Sequence, residues 1–225
     1  MKLYYSGWHM ALRVVAPLLT RIEVRGIENI PPSGSLILVS NHLSIADPPI
    51  LVAYVKRHIH FILKEELYES LVFRVLLPPG EPIPVRRGKP GRDALRQCEA
   101  ILKTGGVIGI FPEGTRSQSG ETQEARAGVV FLARRTGAQI LPVAIAGTEH
   151  ILPGRFPWFR RARVRLTFGR PFTLAELDAD PRADREALAH QIMARVVALL
   201  PQKYHGRYGE PLPPPAAPAA EAVDR

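Results

Sequence analysis

The stretch LILVSNHLSIADPP (residues 36–49) runs from five apolar or small residues directly into a polar cluster. Its first five residues predict a short strand that is buried on both faces, as in the parallel sheet of an α/β domain. The same order recurs where VIGIF (residues 107–111) is followed by PEGTRS (residues 112–117). Because ligands bind beyond the carboxyl ends of parallel strands, the two clusters predict one site at that edge of the sheet.

The rest of the chain alternates between strand-like and helix-like patterns. Short apolar or β-branched runs predict three more strands, which are Ile59–Leu63, Ile140–Ile145 and Val164–Phe168. Amphipathic or apolar stretches between and after the strands predict five helices, which are Pro49–Arg57, Glu65–Leu76, Arg92–Lys103, Glu124–Thr136 and Arg182–Leu200. This alternation predicts an α/β fold with a largely parallel β-sheet flanked by helices.

Length and charge restrict the class of protein. A chain of 225 residues that is 46% hydrophobic and 23% charged has the composition of a single globular domain with small appendages. Its 30 basic and 21 acidic residues leave a net charge of +9. That charge predicts an acidic partner, which is nucleic acid, an anionic membrane or a phosphorylated ligand. Cys98 is the single cysteine, which excludes an intrachain disulfide and a cysteine-based metal site.

The first twenty residues have the pattern of an amphipathic helix. Tyr4, Trp8, Leu12, Val15 and Leu19 recur at helical spacing, and Pro17 is expected to kink or end the helix. The apolar face suits either a membrane interface or packing on the helix's own domain, and both remain open. We expect three segments, which are an amphipathic, membrane-associating segment at 1–25, one folded domain at 26–205 and a disordered Pro/Ala-rich tail at 206–225.

A second candidate membrane contact is the stretch at residues 155–170, which holds six Arg, no acid, and the aromatics Phe156, Trp158 and Phe159. Such a composition favours an anionic bilayer, although single-stranded nucleic acid or an exposed strand face remains an alternative. The sequence contains no apolar run of about 20 residues that could span a bilayer, and it begins with no secretory signal pattern. The sequence therefore predicts a protein that is soluble or lies on a membrane without crossing it, and the two candidate contacts favour a peripheral or monotopic membrane protein.

His42 and Asp47 are the candidate catalytic pair in the first polar cluster. A residue preceding a proline disfavours helical geometry, so Pro48 predicts a loop over residues 42–46, with Asp47 as the cap of the next helix. Such a loop can bring the carboxylate to the imidazole, which gives a general base held by an acid. The alternative is that Asp47 only caps the helix and His42 is an ordinary loop residue.

The second cluster has the composition of an anion site. Gly114 allows close backbone approach, Thr115 supplies a hydroxyl, and Arg116 offers a planar fork for a phosphate. Glu113 is expected to hold Arg116 in place or to accept a hydrogen bond from a ligand hydroxyl. A polar turn with a surface arginine is the structural alternative.

Together the two clusters resemble the motifs of the glycerolipid acyltransferase family. The likeness rests on Asn41-His42-x-Ser44-x-x-Asp47-Pro48 and on Phe111-Pro-Glu-Gly-Thr-Arg-Ser117, and it extends from about Gly26 to Ile145. Intermediate blocks are similar too: FILKEEL (residues 61–67), IPVRR (residues 83–87) and ILPVA (residues 140–144). Two positions depart from the family pattern. Arg86 stands where Asp or Asn is common, and Ala125 stands where an aromatic residue is common.

The resemblance implies transfer of a fatty acyl group from acyl-CoA or acyl carrier protein to the hydroxyl of 1-acylglycerol 3-phosphate (lysophosphatidic acid), giving phosphatidic acid. It implies His42 as base, Asp47 as its partner, and a set of substrate-binding residues, which are Asn41, Ser44, Lys64, Arg87, Glu113, Gly114, Thr115 and Arg116. No cofactor, metal or nucleic acid is expected, and the cytoplasmic face of the cell membrane is the expected location. The alternatives are another acceptor, such as glycerol 3-phosphate, a lysophospholipid or an aminolipid, and a non-enzymatic basic protein that binds acidic lipid or nucleic acid.

Overall fold

A computed structural model describes residues 2–64, 82–85, 91–151, 162–177, 180 and 183–209. Its strands are β1 (Thr20–Arg25), β2 (Leu36–Ser40), β3 (Ile59–Lys64), β4 (Ile83–Val85), β5 (Val107–Ile110), β6 (Gln139–Ala146) and β7 (Ala162–Phe168). Its α-helices are α1 (Lys2–Leu19), α2 (Asp47–Tyr54), α3 (Arg92–Lys103), α4 (Gly128–Thr136) and α5 (Arg185–Val197). The largely parallel α/β architecture predicted from the sequence is confirmed.

The seven described strands form one sheet in the order β1-β7-β6-β2-β5-β3-β4. Every pair is parallel except β6 with β7, which run antiparallel. Because β7 reverses direction, it begins at the edge of the sheet where β2, β5 and β6 end, and β1 begins there as well. That carboxyl edge therefore also receives the end of α1.

The two faces of the central strand β2 are both buried, which explains its unbroken apolar sequence. Leu36 and Leu38 face a layer that includes α2, whereas Ile37 and Val39 face a layer built from α3, α4 and α5. All four side chains are at most 1% exposed. A strand covered on both faces needs apolar residues at every position, so the continuous run is read correctly as a central strand.

Two strands were not predicted from the sequence, and their residues explain why. β1 alternates exposed charged residues with partly buried ones, since its outer face meets solvent. β4 is only three residues long and pairs with β3 at the other edge of the sheet. β1 buries only one face, and β4 is too short to bury more than a few side chains. Neither strand therefore has the long apolar run that is typical of a central strand.

The first helix packs on the domain along one side. His9 Nδ1 lies 2.7 Å from the carbonyl oxygen of Val52, and Leu12 is half-buried against the layer that contains α2. Met10 and Val14 are 68% and 60% exposed and lie one helical turn apart. Leu12 belongs to the apolar face predicted from the sequence, so at this residue the predicted face packs on the domain. Met10 and Val14 form a separate apolar patch that faces outward.

The folded part of the chain reaches beyond residue 205. Gly206–Tyr208 form a short 3₁₀ turn in which Tyr208 is buried, so 206–209 belong to the domain and not to the tail predicted to begin at 206. The Thr122 N–H and hydroxyl both donate to the carbonyl oxygen of Tyr204, at 2.9 and 2.7 Å. The predicted helix at 65–76, the segment at 155–161 and the tail from 210 lie outside the described residues.

Candidate active site

The two polar clusters meet at the carboxyl edge, as the sequence predicts. β2 pairs with β5 such that Val39 lies opposite Ile110, so the residues that follow each strand emerge side by side. The Ser117 N–H donates to the carbonyl oxygen of His42 at 2.9 Å, which joins the second cluster to the first. The site is thus a product of parallel pairing between strands that lie far apart in the sequence.

His42 and Asp47 form the predicted pair. His42 Nδ1 lies 2.7 Å from Asp47 Oδ2, and Asp47 is fully buried, whereas 17% of the His42 side chain is exposed. A carboxylate can only accept this bond, so Nδ1 carries the hydrogen and Nε2 is left with a lone pair. The arrangement suits a general base whose tautomer is fixed by its acidic partner.

The position of Asp47 differs from the sequence prediction in one respect. The prediction of Asp47 as helix cap is wrong, because Ala46 occupies the cap position and Asp47 is the first residue of α2. Its Oδ2 instead turns back and accepts the N–H groups of Leu43 and Ser44, each at 2.8 Å. Pro48 and Pro49 are tolerated in the first helical turn because no N–H is required there.

An aromatic stack holds the imidazole from one side. The rings of His42 and Phe111 are nearly parallel with centroids 4.1 Å apart, and Phe61 stacks on Phe111 at 5.9 Å. Gly109 makes room for this stack, since a Cβ atom there would lie 2.3 Å from the Phe61 ring. The sequence predicts Phe111 as the last residue of a strand, with no functional role. In the structure Phe111 follows the shorter strand β5, and its ring fixes the plane of the base.

Glu113 bridges the two clusters through main-chain hydrogen bonds. Its Oε1 accepts the His42 N–H and its Oε2 accepts the Gln123 N–H, both at 2.9 Å. The side chain is 4% exposed, and this burial raises the pKa of Glu113 although both hydrogen bonds favour the charged form. The structure shows no ion pair to Arg116, so the predicted role of Glu113 in holding that arginine is not observed.

Two other residues of the first cluster are bonded within the protein. The Asn41 amide donates to the carbonyl oxygen of Ile145 at 2.8 Å and accepts its N–H at 2.9 Å, which ties the end of β2 to β6. The buried Ser44 hydroxyl accepts the Ala46 N–H at 3.3 Å. These contacts hold the loop that carries His42, and substrate binding by Asn41 and Ser44 stays a prediction.

The cationic part of the second cluster is exposed at the same edge. Gly114 adopts a left-handed conformation (φ +71°), and a Cβ atom there would lie 3.1 Å from the Arg126 guanidinium. Thr115 and Arg116 are exposed, and the carbonyl oxygen of Arg116 accepts a bond from the Gln123 amide at 3.3 Å. Arg126 thus lies against Gly114 of the second cluster, a position for which the sequence predicts no role in the site.

Other candidates from the sequence contribute less to the described geometry. Lys64 ends strand β3, where only its backbone is described, and Arg87 lies outside the described residues, so their binding roles stay predictions. Cys98 is completely buried in α3, and burial raises the pKa of its thiol to about 12, so it is not a nucleophile. Within the described ranges, no three His, Cys, Asp or Glu side chains are grouped to hold a metal ion.

Replacement of Glu113 by glutamine is expected to lower kcat by about 10- to 100-fold with little change in KM. A glutamine has one acceptor oxygen, so its NH₂ group must face the N–H of His42 or of Gln123, and a buried unpaired donor destabilises by about 1–3 kcal/mol. The loop that carries His42 then shifts. Steady-state kinetics and thermal unfolding test this, with the exposed Glu121→Gln as control; wild-type kcat in Glu113→Gln would refute the positioning role.

The fold and the geometry of this edge together define a class of protein. A parallel α/β sheet with an acid-bound histidine and exposed arginines at its carboxyl edge is the arrangement of an enzyme that deprotonates a hydroxyl near an anionic group. A protein-family model described as Acyltransferase matches residues 21–146, which is more than half of the chain and includes both clusters. The chain belongs to the acyltransferase family.

Individual relatives agree with this assignment. The 1-acyl-sn-glycerol-3-phosphate acyltransferase of Bacillus subtilis (strain 168) is 27% identical over 86% of this chain and 94% of that protein. Its namesake from Pseudomonas aeruginosa is 36% identical over 59% of this chain. The chain spans about half the length of this second relative (51%) and of a chloroplastic enzyme of the same name from Arabidopsis thaliana (49%, at 28% identity).

A solved structure shows the same fold. The crystal structure of the 1-acyl-sn-glycerophosphate (LPA) acyltransferase PlsC from Thermotoga maritima superposes with a TM-score of 0.68 at 27% identity. The superposition covers 87% of this chain and 79% of that one. The resemblance found in the sequence motifs is therefore confirmed at the level of both family and fold.

Proposed function

We propose that this protein transfers a fatty acyl group from a thioester to the free hydroxyl of a 1-acylglycerol 3-phosphate, giving phosphatidic acid. The observation that carries the proposal is the His42–Asp47 pair, placed beside the exposed Arg116 at one edge of the sheet. The acceptor named for the Bacillus, Pseudomonas and Thermotoga relatives supports the same substrate. A base next to a cation suits an acceptor that carries both a hydroxyl and a phosphate.

In the proposed reaction, His42 Nε2 takes the proton of the acceptor hydroxyl as its oxygen attacks the thioester carbonyl carbon. Asp47 stabilises the imidazolium that forms, because its Oδ2 already holds Nδ1–H. The tetrahedral intermediate then collapses, the carbon–sulfur bond breaks, and the imidazolium gives its proton to the departing thiolate. The new ester and the free thiol balance the reaction, with no group needed beyond the two substrates.

The test of the function is thiol release from an acyl thioester in the presence of a panel of acceptors. We expect lysophosphatidate to be acylated faster than glycerol 3-phosphate, a lysophospholipid or an aminolipid. If another acceptor is acylated faster, the protein is still an acyltransferase, but its acceptor is not lysophosphatidate. Binding of acidic lipid without any thiol release would instead support the non-enzymatic alternative.

Arg116 is proposed to hold the acceptor's phosphate, together with Arg87. Arg116→Ala is expected to raise the KM for lysophosphatidate by about tenfold or more, since a lost charge-assisted contact weakens binding by at least that factor. Turnover should fall too, because the contact also orients the hydroxyl. Kinetics with both substrates varied provide the measurement, and Arg185→Ala, on the exposed start of α5, is the matched control. An unchanged acceptor KM with a raised donor KM would reverse the assignment.

We further propose that the protein docks on anionic membranes from one side without spanning them. No helix in the described part of the chain is long and apolar enough to cross a bilayer. The exposed Met10 and Val14 on α1 offer a small apolar surface, and the net charge of +9 favours an anionic headgroup layer. Apolar contact and charge act together, since one weak signal is seldom sufficient for stable attachment.

Introducing aspartate at both Met10 and Val14 is expected to lower binding to anionic vesicles several-fold. The two carboxylates remove the apolar contact and are repelled by the lipid charge. Co-sedimentation with liposomes measures the loss of binding. The rate of acyl transfer should fall more with a vesicle-borne acceptor than with a short-chain soluble acceptor. The control adds the same charge at the exposed Gln97 and Ala100 of α3; equal binding of the two variants would remove α1 from the docking surface.

A further inference from the structure

The carboxyl edge carries a concave surface two to three strands away from β2, the strand that leads into His42. A groove of about 540 Å³ is formed on strands β1 and β7, the turn after β6, and the turn after α5. All five basic residues in its lining are exposed, and they are Arg21, His150, Arg163, Arg165 and Lys203. Its volume lies in the range of small-molecule sites, which is roughly 300–1,000 Å³.

The charge of this groove is unbalanced at two neighbouring arginines. Arg21 and Arg163 are register partners on the parallel strands β1 and β7, so their side chains leave the same face of the sheet. The next pair along the strands, Glu23 with Arg165, is joined by an ion pair at 3.2 Å. Glu23 is the single acid among the described lining residues, and Arg25 also binds it. Among the described residues, no acid pairs with Arg21 or Arg163, which lie side by side on strands β1 and β7 at the floor of the groove.

The floor of the groove, formed by strands β1 and β7, packs closely against the turn after β6. Gly147 follows β6 in a left-handed conformation (φ +90°), and a Cβ atom there would lie 2.0 Å from the carbonyl oxygen of Arg163. On the other wall, the Tyr204 hydroxyl donates to Glu149 at 2.7 Å, and Lys203 Nζ lies 4.5 Å from the centre of the Tyr204 ring. These contacts fix a concave, cationic surface, which suits the phosphates of a bound ligand better than a flat bilayer.

Distance excludes the acceptor's phosphate as the occupant. β7 and β1 are two and three strands from β2, so Arg163 and Arg21 lie about 10 and 15 Å to the side of the strand that leads into His42. Moreover, His42 stacks on Phe111, on the other side of β2. In lysophosphatidate, the carbon that carries the reacting hydroxyl is bonded directly to the carbon that carries the phosphate ester. The phosphate must therefore stay close to the base that binds this hydroxyl.

The donor has the required separation. In a coenzyme A thioester, an extended pantetheine arm lies between the reacting carbonyl and the phosphates of the nucleotide. We infer that this groove binds the nucleotide phosphates of an acyl-CoA donor, with Arg21 and Arg163 as the principal contacts. The inference rests on the proposed acyl transfer and deepens it by assigning the donor and the place where its far end binds.

The test uses the full-length protein with octanoyl-CoA and a short-chain lysophosphatidate, both soluble, so that membrane binding does not enter. Arg21→Gln combined with Arg163→Gln is expected to raise the KM for octanoyl-CoA by about tenfold or more. The same variant should leave the KM for octanoyl-pantetheine, which lacks phosphates, and the KM for the acceptor unchanged. Arg170→Gln combined with Arg185→Gln removes two exposed arginines at the opposite edge of the sheet and is the matched control.

A gain of affinity provides a second, independent test. Glu23→Gln releases Arg165 from its ion pair and removes the acid of the groove, so the KM for octanoyl-CoA should fall several-fold. Calorimetry with free coenzyme A should show the same order of affinity, with Glu23→Gln tightest, then wild type, then the double arginine variant. An effect on the pantetheine donor equal to that on octanoyl-CoA would overturn the assignment.

The remaining outcomes separate this inference from the proposed function. If the wild-type protein transfers from octanoyl-CoA and the double arginine variant matches its control, the groove is not the donor site, while the function stands. If the wild-type protein accepts only carrier-protein thioesters, the assignment of coenzyme A is overturned, again without loss of the transfer activity. If the wild-type protein releases no thiol from any thioester, the proposed function itself fails.

Discussion

Replacement of His42 by alanine is expected to lower the rate of acyl transfer by about 10² to 10⁴, because the acceptor hydroxyl loses the base positioned by Asp47. The loop should keep its shape in this variant. The backbone N–H of residue 42 still donates to Glu113, and its carbonyl oxygen still accepts the Ser117 N–H. Thiol release under saturating substrate measures the loss of kcat, and circular dichroism with thermal unfolding confirms that the fold is retained.

A matched control for this variant is His190→Ala. His190 also stacks on an aromatic ring, with a centroid distance of 4.3 Å to Tyr208, but it lies on α5 outside the proposed site. Loss of a stacked imidazole there should leave turnover close to wild type. If His42→Ala kept more than a tenth of wild-type turnover, His42 would not be the base.

The second large effect is expected at Asp47, where asparagine should lower kcat by about 10³ to 10⁴. Asp47 Oδ2 accepts three N–H groups, from the His42 ring and from the backbone of Leu43 and Ser44. An amide oxygen can take over these bonds, but it carries no charge to stabilise an imidazolium. In the reverse orientation its NH₂ group faces those donors, and the imidazole is driven to the wrong tautomer.

The contrast with Asp184 isolates the catalytic part of this effect. Asp184 is exposed, and its carboxylate accepts two N–H groups at the start of α5, so Asp184→Asn is the same chemical change at an ordinary helix cap. Asparagine is as good a cap as aspartate, and neither stability nor turnover should change much. Equal activities of Asp47→Asn and Asp184→Asn would leave Asp47 with only a structural role.

The parts of the fold that could be predicted are those in which local pattern and burial agree. α3 is found at Arg92–Lys103 as predicted, because one apolar stripe meets the core and the opposite face is charged. β2 is also found as predicted, since both of its faces are covered. The helix predicted to begin at Glu124 starts instead at Gly128. The Arg126 N–H donates to the carbonyl oxygen of Pro112, and Glu124 forms an ion pair with Arg207, so the intervening residues bond to neighbouring segments and not to a helical turn.

The candidate site shows a similar division. The types and spacing of residues were sufficient to pair His42 with Asp47, because the loop between them is short. They did not reveal that Phe111 stacks on the imidazole or that Glu113 bonds the backbone of residue 42, since both contacts cross between strands. Contacts of that kind depend on the register of β2 with β5, which no local pattern encodes.

The bonds between Thr122 and Tyr204 have a practical consequence for attaching fusion partners. They fix the segment after α5 against the loop that carries Gln123, so the chain leaves Gly209 beside the catalytic edge. At the other terminus, α1 ends at the catalytic edge, and its 18 residues extend about 27 Å away from that edge, with His9 bonded near the far end of α2. A fluorescent protein or affinity tag fused after Gly209 would lie on the side of the molecule that carries His42, whereas one fused before α1 would begin about 27 Å from that edge.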